Sequence, residues 1–472
     1  MLVWTRLNAQ FWTVYDSLQP LNRYGVTKTP FTQSLLSLTA MSTFNINLHE
    51  AVYSLSNALD LVGVTHIHHG KRVAYIAAEC GKQLGWKEQC LDDLFQAAIL
   101  HDCGVSKTPV HARLAQFEWE QDSEHCRIGS KLLSSCTLLA HLSDVILYHH
   151  THWIVLKDVD IAMQIKLIAN CIYLAECVDV LSLACLVDHA NLLLSRETII
   201  DKILEKSGDC FCPELVAVFI EVSKSSLFWL ILESGDTSSY NATWQTHTLD
   251  THKNISKQWN TNSYSATWQA YIPNKEIKFF ELKSLVHIFS HIVDAKSPYT
   301  KEHSDGVASL AKLIGTLLEL PKETCEMLEL AGLLHDIGKL RVPDKLLEKQ
   351  GKLTEEEYAI VQRHSFDTYD ILKNISGLEK ITEWAAQHHE RLDGKGYPLQ
   401  VEDYAISLEA RILAVADVFQ ALAQNRPYRQ ALDADAIMNI LNQQVASGQL
   451  DAAIVLCVEN NLLACLRAAY CQ

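Results

Sequence analysis

Leu334-His335-Asp336-Ile337-Gly338-Lys339 and, further along, His388-His389-Glu390-Arg391-Leu392-Asp393-Gly394-Lys395-Gly396-Tyr397-Pro398 decide how this chain is read. Imidazoles and carboxylates are delivered by several separate segments. His303 opens the helical run His303-Ser-Asp-Gly-Val-Ala, His364 lies in Val-Gln-Arg-His, and Asp417 sits in Ile-Leu-Ala-Val-Ala-Asp. Neutral imidazole nitrogen suits iron, manganese, nickel or zinc. A lone histidine on an apolar face is usually a satisfied core residue, whereas seven candidate ligands in this order point to a metal site.

The same phrase occurs earlier in the chain. His101-Asp102-Cys-Gly matches His335-Asp336-Ile-Gly, and His69 precedes it as His303 precedes the later copy, both at an offset of 234. His125 parallels His364, His149-His150 parallels His388-His389, and Glu176 stands where Asp417 stands. Such self-similarity implies two copies of one unit. Apolar-periodic runs such as Leu91–Leu100 and Ile165–Ala175 dominate and strand-like alternation is rare, so the predicted fold is all-α, with two tandem helical bundles. The expected division is an extension at 1–44, a first bundle at 45–233, a polar linker or insertion at 234–278, and a second bundle at 279–472. The polar stretch holds an echo, Ser239-Tyr-Asn-Ala-Thr-Trp244-Gln and Ser263-Tyr-Ser-Ala-Thr-Trp268-Gln, which reads as exposed linker or as a small interaction element.

Taken together, His303, His335-Asp336, His364, His388-His389 and Asp417 resemble the HD-GYP family of phosphodiesterases within the HD phosphohydrolases. The resemblance covers about residues 280–460 and includes Pro343-Asp-x-Leu-Leu-x-Lys349, Gly396-Tyr397-Pro398 and Arg426-Pro427-Tyr428-Arg429. It implies that Asp336 bridges two divalent cations. His303, His335 and Asp417 would complete one shell, and His364, His388 and His389 the other. Fe(II) or Mn(II) are the expected metals, with Ni, Zn or Mg as alternatives, and a shared hydroxide would attack the phosphodiester. Lys339 would face the phosphate, with Lys349, Arg426 and Arg429 as further substrate contacts. Gly394, Gly396 and Pro398 would shape a loop presenting Tyr397 at the rim, Gly by allowing positive φ.

The implied substrate is a cyclic dinucleotide: cyclic di-GMP first, 3′,3′-cyclic GMP-AMP second. The alternatives are a catalytically weak receptor for such a nucleotide and an HD hydrolase of nucleoside monophosphates or alarmones. A homodimer and a signalling partner at the Gly-Tyr-Pro loop are further implied partners.

Several positions depart from the family. Tyr299 and Ser297 stand where members with a third metal carry acidic residues, so two metals are expected. Gln420 replaces an aspartate three residues after Asp417; if that aspartate orients the attacking water, turnover would be slowed. The first copy has Asp179 there. It has Val105 in place of Lys339, Thr151-His152-Trp153 in place of the Glu-Arg and Gly-Tyr-Pro elements, and no counterparts of Arg426 and Arg429. Ligands without phosphate-holding cations stabilise a charged transition state poorly, so the first copy reads as a degenerate scaffold or regulatory unit.

Composition excludes other classes. A net charge of −16 opposes binding to polymeric nucleic acid, although metals and local cations can reverse the field in one pocket. No run reaches the roughly 18 consecutive apolar residues of a membrane helix, and the N-terminus lacks a secretory pattern, so a cytoplasmic protein without a membrane partner is expected. The fourteen cysteines are scattered without paired CxxC spacing and read as reduced core thiols.

Overall fold

The structure, a computed structural model, describes residues 43–59, 69–105, 124–187, 191–234, 275–296, 303–349, 351–402, 405–425 and 430–470. The expectations for the Trp244 and Trp268 echo, Ser297, Tyr299, Arg426 and Arg429 lie outside these residues. Within them the chain is helical, as its periodicity predicts. After β1 (Thr43–Ile46), the first lobe comprises α1 (Leu48–Leu59), α2 (His69–Gln83), α3 (Glu88–Leu100), α4 (Glu124–Ser134), α5 (Ser143–Tyr148), α6 (Met163–Val187), α7 (Leu192–Glu205), α8 (Pro213–Ser223) and α9 (Ser226–Ser234). The second follows β2 (Lys275–Lys278): α10 (Phe279–Lys296), α11 (His303–Leu317), α12 (Lys322–Leu334), α13 (Glu355–Gln362), α14 (His364–Leu372), α15 (Glu379–Ala386), α16 (Leu408–Ala423), α17 (Ala434–Ala446), α18 (Ala452–Asn460) and α19 (Leu462–Ala469).

One small ribbon departs from the all-helical expectation. β1 pairs antiparallel with β2, in a register that puts Thr43 opposite Lys278 and Ile46 opposite Lys275. Phe44 and Ile46 turn inward while Thr43 is exposed, and Ile277 is buried beside them. The alternation is real but only four residues long, too short to stand out in a sequence. The ribbon ties the start of the first lobe to the start of the second. Glu50 on α1 adds a contact, accepting from Ser376 N at 2.8 Å. Gly377 has φ +93°, and a Cβ there would lie 2.4 Å from Asn45 O, so glycine is required for both reasons.

Packing between helices positions the histidines. In the second lobe α11 and α12 cross so closely that a Cβ on Gly332 would lie 2.5 Å from Ala308 Cα. α16 begins where Ser407 Oγ accepts from Ala410 N at 3.2 Å, satisfying one of the amides a helix start leaves open. It then buries Ile412, Leu413, Val415 and Phe419, each worth about 1.5–3 kcal/mol of apolar burial, which fixes Asp417 and Gln420. In the first lobe, Met163–Leu186 is long and apolar enough to cross a membrane, but 78% of that window is buried inside the protein. It is the core helix on which the first histidine cluster is built. The cysteines of the described residues are all free, and most are buried.

Candidate metal centres

The end of α12 delivers the central pair. His335 is the helix's C-cap, and Asp336 leads into the tight turn Ile337–Arg341. Gly338 lets this turn lie against the start of α14: a Cβ there would fall 1.9 Å from His364 O. Gly338→Ala is therefore expected to destabilise the fold by about 3 kcal/mol, since neither backbone can yield freely. Urea unfolding of the two proteins checks this. Thr368 locks the same junction, accepting from Gly338 N at 3.0 Å and donating to His335 O at 3.0 Å. Nothing in the sequence singled out Thr368.

Around Asp336 the candidate ligands fall into two groups. Its Oδ2 lies 3.2 Å from His335 Nε2 and 3.7 Å from His303 Nε2. Asp417 Oδ1 lies 3.2 Å from His303 Nε2 and 3.8 Å from His335 Nε2. The other oxygen, Oδ1, faces His364 Nε2 at 3.4 Å and His388 Nε2 at 3.8 Å. His389 stacks near His388, with ring centroids 3.9 Å apart, and its ligand atoms lie within 4.8 Å of those of His364 and His388. One carboxylate thus faces two histidine groups, one per oxygen.

The imidazoles are oriented from behind. His335 Nδ1 donates to Gly332 O at 2.7 Å, His364 Nδ1 to Val361 O at 2.6 Å, and His388 Nδ1 to Ala385 O at 2.6 Å. Each bond places the proton on Nδ1 and aims the Nε2 lone pair inward. His335 Nε2 and Asp336 Oδ1 are buried without a hydrogen bond, a costly arrangement unless a ligand satisfies them. Burial, joined by the neighbouring His389, pushes His364 down to about 3. Burial also drives His389 down to about 4, despite the nearby Asp417. Both rings are therefore neutral at physiological pH. Burial would raise Asp336, yet His335 and Lys339 hold it well below the usual carboxylate range. Asp417 is likewise held low, by its bond to His303, against burial. Imidazoles whose Nε2 atoms face ionised Asp336 and Asp417 are a donor set that fits divalent cations.

The remaining expected residues divide. Lys339 Nζ is bonded to Asp336 Oδ2, so it is at the centre. Tyr397 is half-buried with its ring 4.8 Å from that of His389. Lys349 Nζ is engaged by Glu357, which also caps α13 through Thr354. Gly394 does take positive φ, at +69°, but Gly396 is not among the positive-φ residues. A Cβ on Gly396 would lie 2.4 Å from Arg391 N, so close approach, not φ, requires that glycine. Glu390 anchors the loop, its carboxylate accepting from Leu399 N at 2.6 Å, Gln400 N at 3.2 Å and Val401 N at 3.3 Å. A charged residue directly after two histidines was the available signal for this role.

The first lobe repeats the arrangement. His101 Nε2 lies 3.4 Å from Asp102 Oδ2, His69 Nε2 3.9 Å from the same oxygen, and His125 Nε2 3.8 Å from Oδ1. His150 Nε2 and Glu176 Oε2 are 3.2 Å apart. His101 and His149 are held from behind by Ala98 O and Ile146 O, each at 2.7 Å. Gly104 meets His125 O as Gly338 meets His364 O. These residues also form sets able to hold a metal. Two features differ: Glu176 faces His150, the counterpart of His389, whereas Asp417 faces His303 and His335, and Val105, buried and apolar, replaces Lys339.

Comparison with known proteins agrees with the duplication. HD-domain family models match residues 67–181 and 287–454. A 3′3′-cGAMP-specific phosphodiesterase of Vibrio cholerae is 36% identical over 87% of this chain and 91% of its own length. A second from the same organism is 30% identical over 86% of this chain and 92% of its own. A cyclic di-GMP phosphodiesterase response regulator of Xanthomonas campestris is 41% identical, but over 31% of this chain and 39% of its own. The crystal structure of a cyclic GMP-AMP-specific phosphodiesterase of V. cholerae matches with 25% identity and a TM-score of 0.55, covering 91% of this chain and 98% of that one.

Proposed function

Because this chain belongs to the HD-GYP family of HD-domain phosphodiesterases, we propose that it hydrolyses a phosphodiester of 3′,3′-cyclic GMP-AMP to a linear dinucleotide in its second lobe. One observation carries the substrate. The relatives matched along nearly their whole length, both lobes included, are specific for that nucleotide, whereas the cyclic di-GMP relative above matches over less than a third of this chain. This reverses the order expected from the ligand motifs alone, which are blind to the base.

Two divalent cations, Fe(II) or Mn(II), are the metals that the imidazole-rich second-lobe set suits; His303, His335, Asp336, His364, His388, His389 and Asp417 would hold them. Bound there, they would polarise a phosphoryl oxygen and acidify a water for attack. The protein's own residues do the rest. Asp336 offers one oxygen to each histidine group, and the backbone acceptors behind His335, His364 and His388 fix their tautomers. Lys339 carries a positive charge at the same point, suited to a phosphate oxygen. The loop pinned by Glu390 sets the Tyr397 ring beside His389, where it limits access of water and can meet a base. The first lobe keeps a ligand set with Val105 at the place of that lysine and serves as scaffold or regulator.

The test is a comparison of substrates. Protein purified without oxygen and loaded with Mn(II) is given 3′,3′-cyclic GMP-AMP or cyclic di-GMP, and the products are resolved by chromatography. The expected ratio of kcat/KM favours the hybrid nucleotide by about tenfold or more, the scale of one base-edge contact. A ratio near one, or reversed, removes the substrate assignment. No linear product from either, with metal bound, removes the enzymatic reading.

A further inference from the structure

Gln420 stands where the family's aspartate is expected, and the structure gives it a task other than orienting water. His303 Nδ1 donates to Gln420 Oε1 at 2.5 Å. Gln420 is buried, and its Nε2 points to Ala469 O, at the end of α19, at 3.5 Å. The amide is thereby turned so that its oxygen faces the histidine. We propose that Gln420 is a positioning residue of the second-lobe centre, which fixes the tautomer and direction of His303 so that Nε2 meets the metal. The proposal rests on the metal-centre reading above and adds the residue that completes the outer support of its first histidine.

The first lobe shows why glutamine serves here. There the matching contact is His69 Nδ1 to Asp179 Oδ2 at 2.7 Å. Asp179 is fully buried and is held by Arg72, whose Nε donates to Oδ1 at 2.6 Å and whose Nη2 donates to Oδ2 at 3.1 Å. Arg72 follows His69 by three residues, and three residues after His303 stands Gly306. A Cβ on Gly306 would lie 2.6 Å from Ala469 O and 2.8 Å from Gln420 Cγ. In the second lobe, therefore, α19 and Gln420 fill the space next to this position, and no arginine fits.

An aspartate at 420 would then be a buried carboxylate without its cation, and it would have no proton to offer the Ala469 carbonyl. Burying an unpaired charge costs several kcal/mol, whereas the amide supplies both an acceptor and a donor. The formal charge of the pair is zero in both lobes: Asp with Arg in one, Gln with Gly in the other. The two lobes differ at both positions, and the hydrogen bond to the first histidine is present in each. Gln420 is thus no sign of a disabled site.

Two substitutions of similar volume separate orientation from packing. Mn(II) binding to the metal-stripped full-length chain is measured by calorimetry. The sites missing in Asp336→Ala mark the second-lobe class. Gln420→Leu removes the acceptor and is expected to weaken that class by about 10–100-fold, the usual effect of losing such a support. Gln420→Glu keeps an acceptor on His303, so its Mn(II) affinity is expected to stay within about threefold of the parent, while the buried carboxylate, which has no arginine beside it and no proton for Ala469 O, lowers the urea midpoint of unfolding instead. Hydrolysis by Gln420→Leu should recover in excess Mn(II). Gly306→Ala, which crowds Gln420 without altering it, should weaken the same class and serves if the leucine variant fails to fold. Wild-type affinity in Gln420→Leu, or a loss in Gln420→Glu as large as in the leucine variant, overturns the proposal. A parent protein that binds Mn(II) but cleaves no cyclic dinucleotide would instead overturn the function and leave this affinity test standing.

Discussion

Asp336→Ala is expected to lower kcat/KM for the cyclic dinucleotide by on the order of 10⁴-fold. Loss of a single charge-stabilising donor typically costs 10²–10³, and this carboxylate serves both halves of the centre. The geometry sets the size of the effect. Oδ2 faces His303 and His335, and Oδ1 faces His364 and His388, so no other side chain can replace it. Bound metal should fall in parallel, because what remains is a group of imidazoles with Asp417 as the one carboxylate among the candidate ligands. Asp336→Asn offers the control: it keeps the volume and one good acceptor, so it should retain more metal than the alanine variant while remaining strongly impaired. Metal analysis of the purified proteins alongside initial rates distinguishes this from simple unfolding, since the first-lobe set is untouched in both variants.

Lys339→Ala is expected to lower kcat by about 10²–10³-fold, the usual cost of one lost stabilising charge, with metal content unchanged. The reason is its position. Its ammonium is bonded to Asp336 and carries charge into the site, but an ammonium has no lone pair for a cation. A metal ligand and a phosphate-holding cation therefore part company in one experiment: Asp336→Ala loses metal and rate, Lys339→Ala loses rate alone. Lys339→Arg should not restore full activity, because a planar guanidinium is not a substitute for a compact ammonium beside a buried carboxylate. The first lobe has already made the comparable change, with Val105 at this place. On the function proposed above, that exchange is one of the differences by which the first lobe would keep its histidines and yet suit phosphodiester chemistry poorly.

Much of this was legible in the sequence because ligand geometry is local and repeated. His335-Asp336 and His388-His389 are adjacent pairs, and the equal offset of 234 revealed the second copy. Helical periodicity gave the bundles. Less legible was whatever depends on partners far apart in the chain. The β1–β2 ribbon joins strands of four residues from the starts of the two lobes. The linkage of Gln420 to Gly306 and Ala469 requires three helices to meet, so it was not visible from position 420 read alone. Lys349 matched a family lysine, while its pairing with Glu357 was not visible in the sequence. Glu390 was visible as part of a phrase, while its three backbone contacts were not.

The most direct measurement is a side-by-side assay of the parent, Asp102→Ala and Asp336→Ala, each full-length and Mn(II)-loaded, for linear product from 3′,3′-cyclic GMP-AMP. The two aspartates are matched residues in matched settings, so general damage to a buried centre should affect both alike. Turnover in Asp102→Ala with none in Asp336→Ala is the expected result and places the chemistry in the second lobe. Turnover that survives Asp336→Ala and disappears in Asp102→Ala would contradict that assignment.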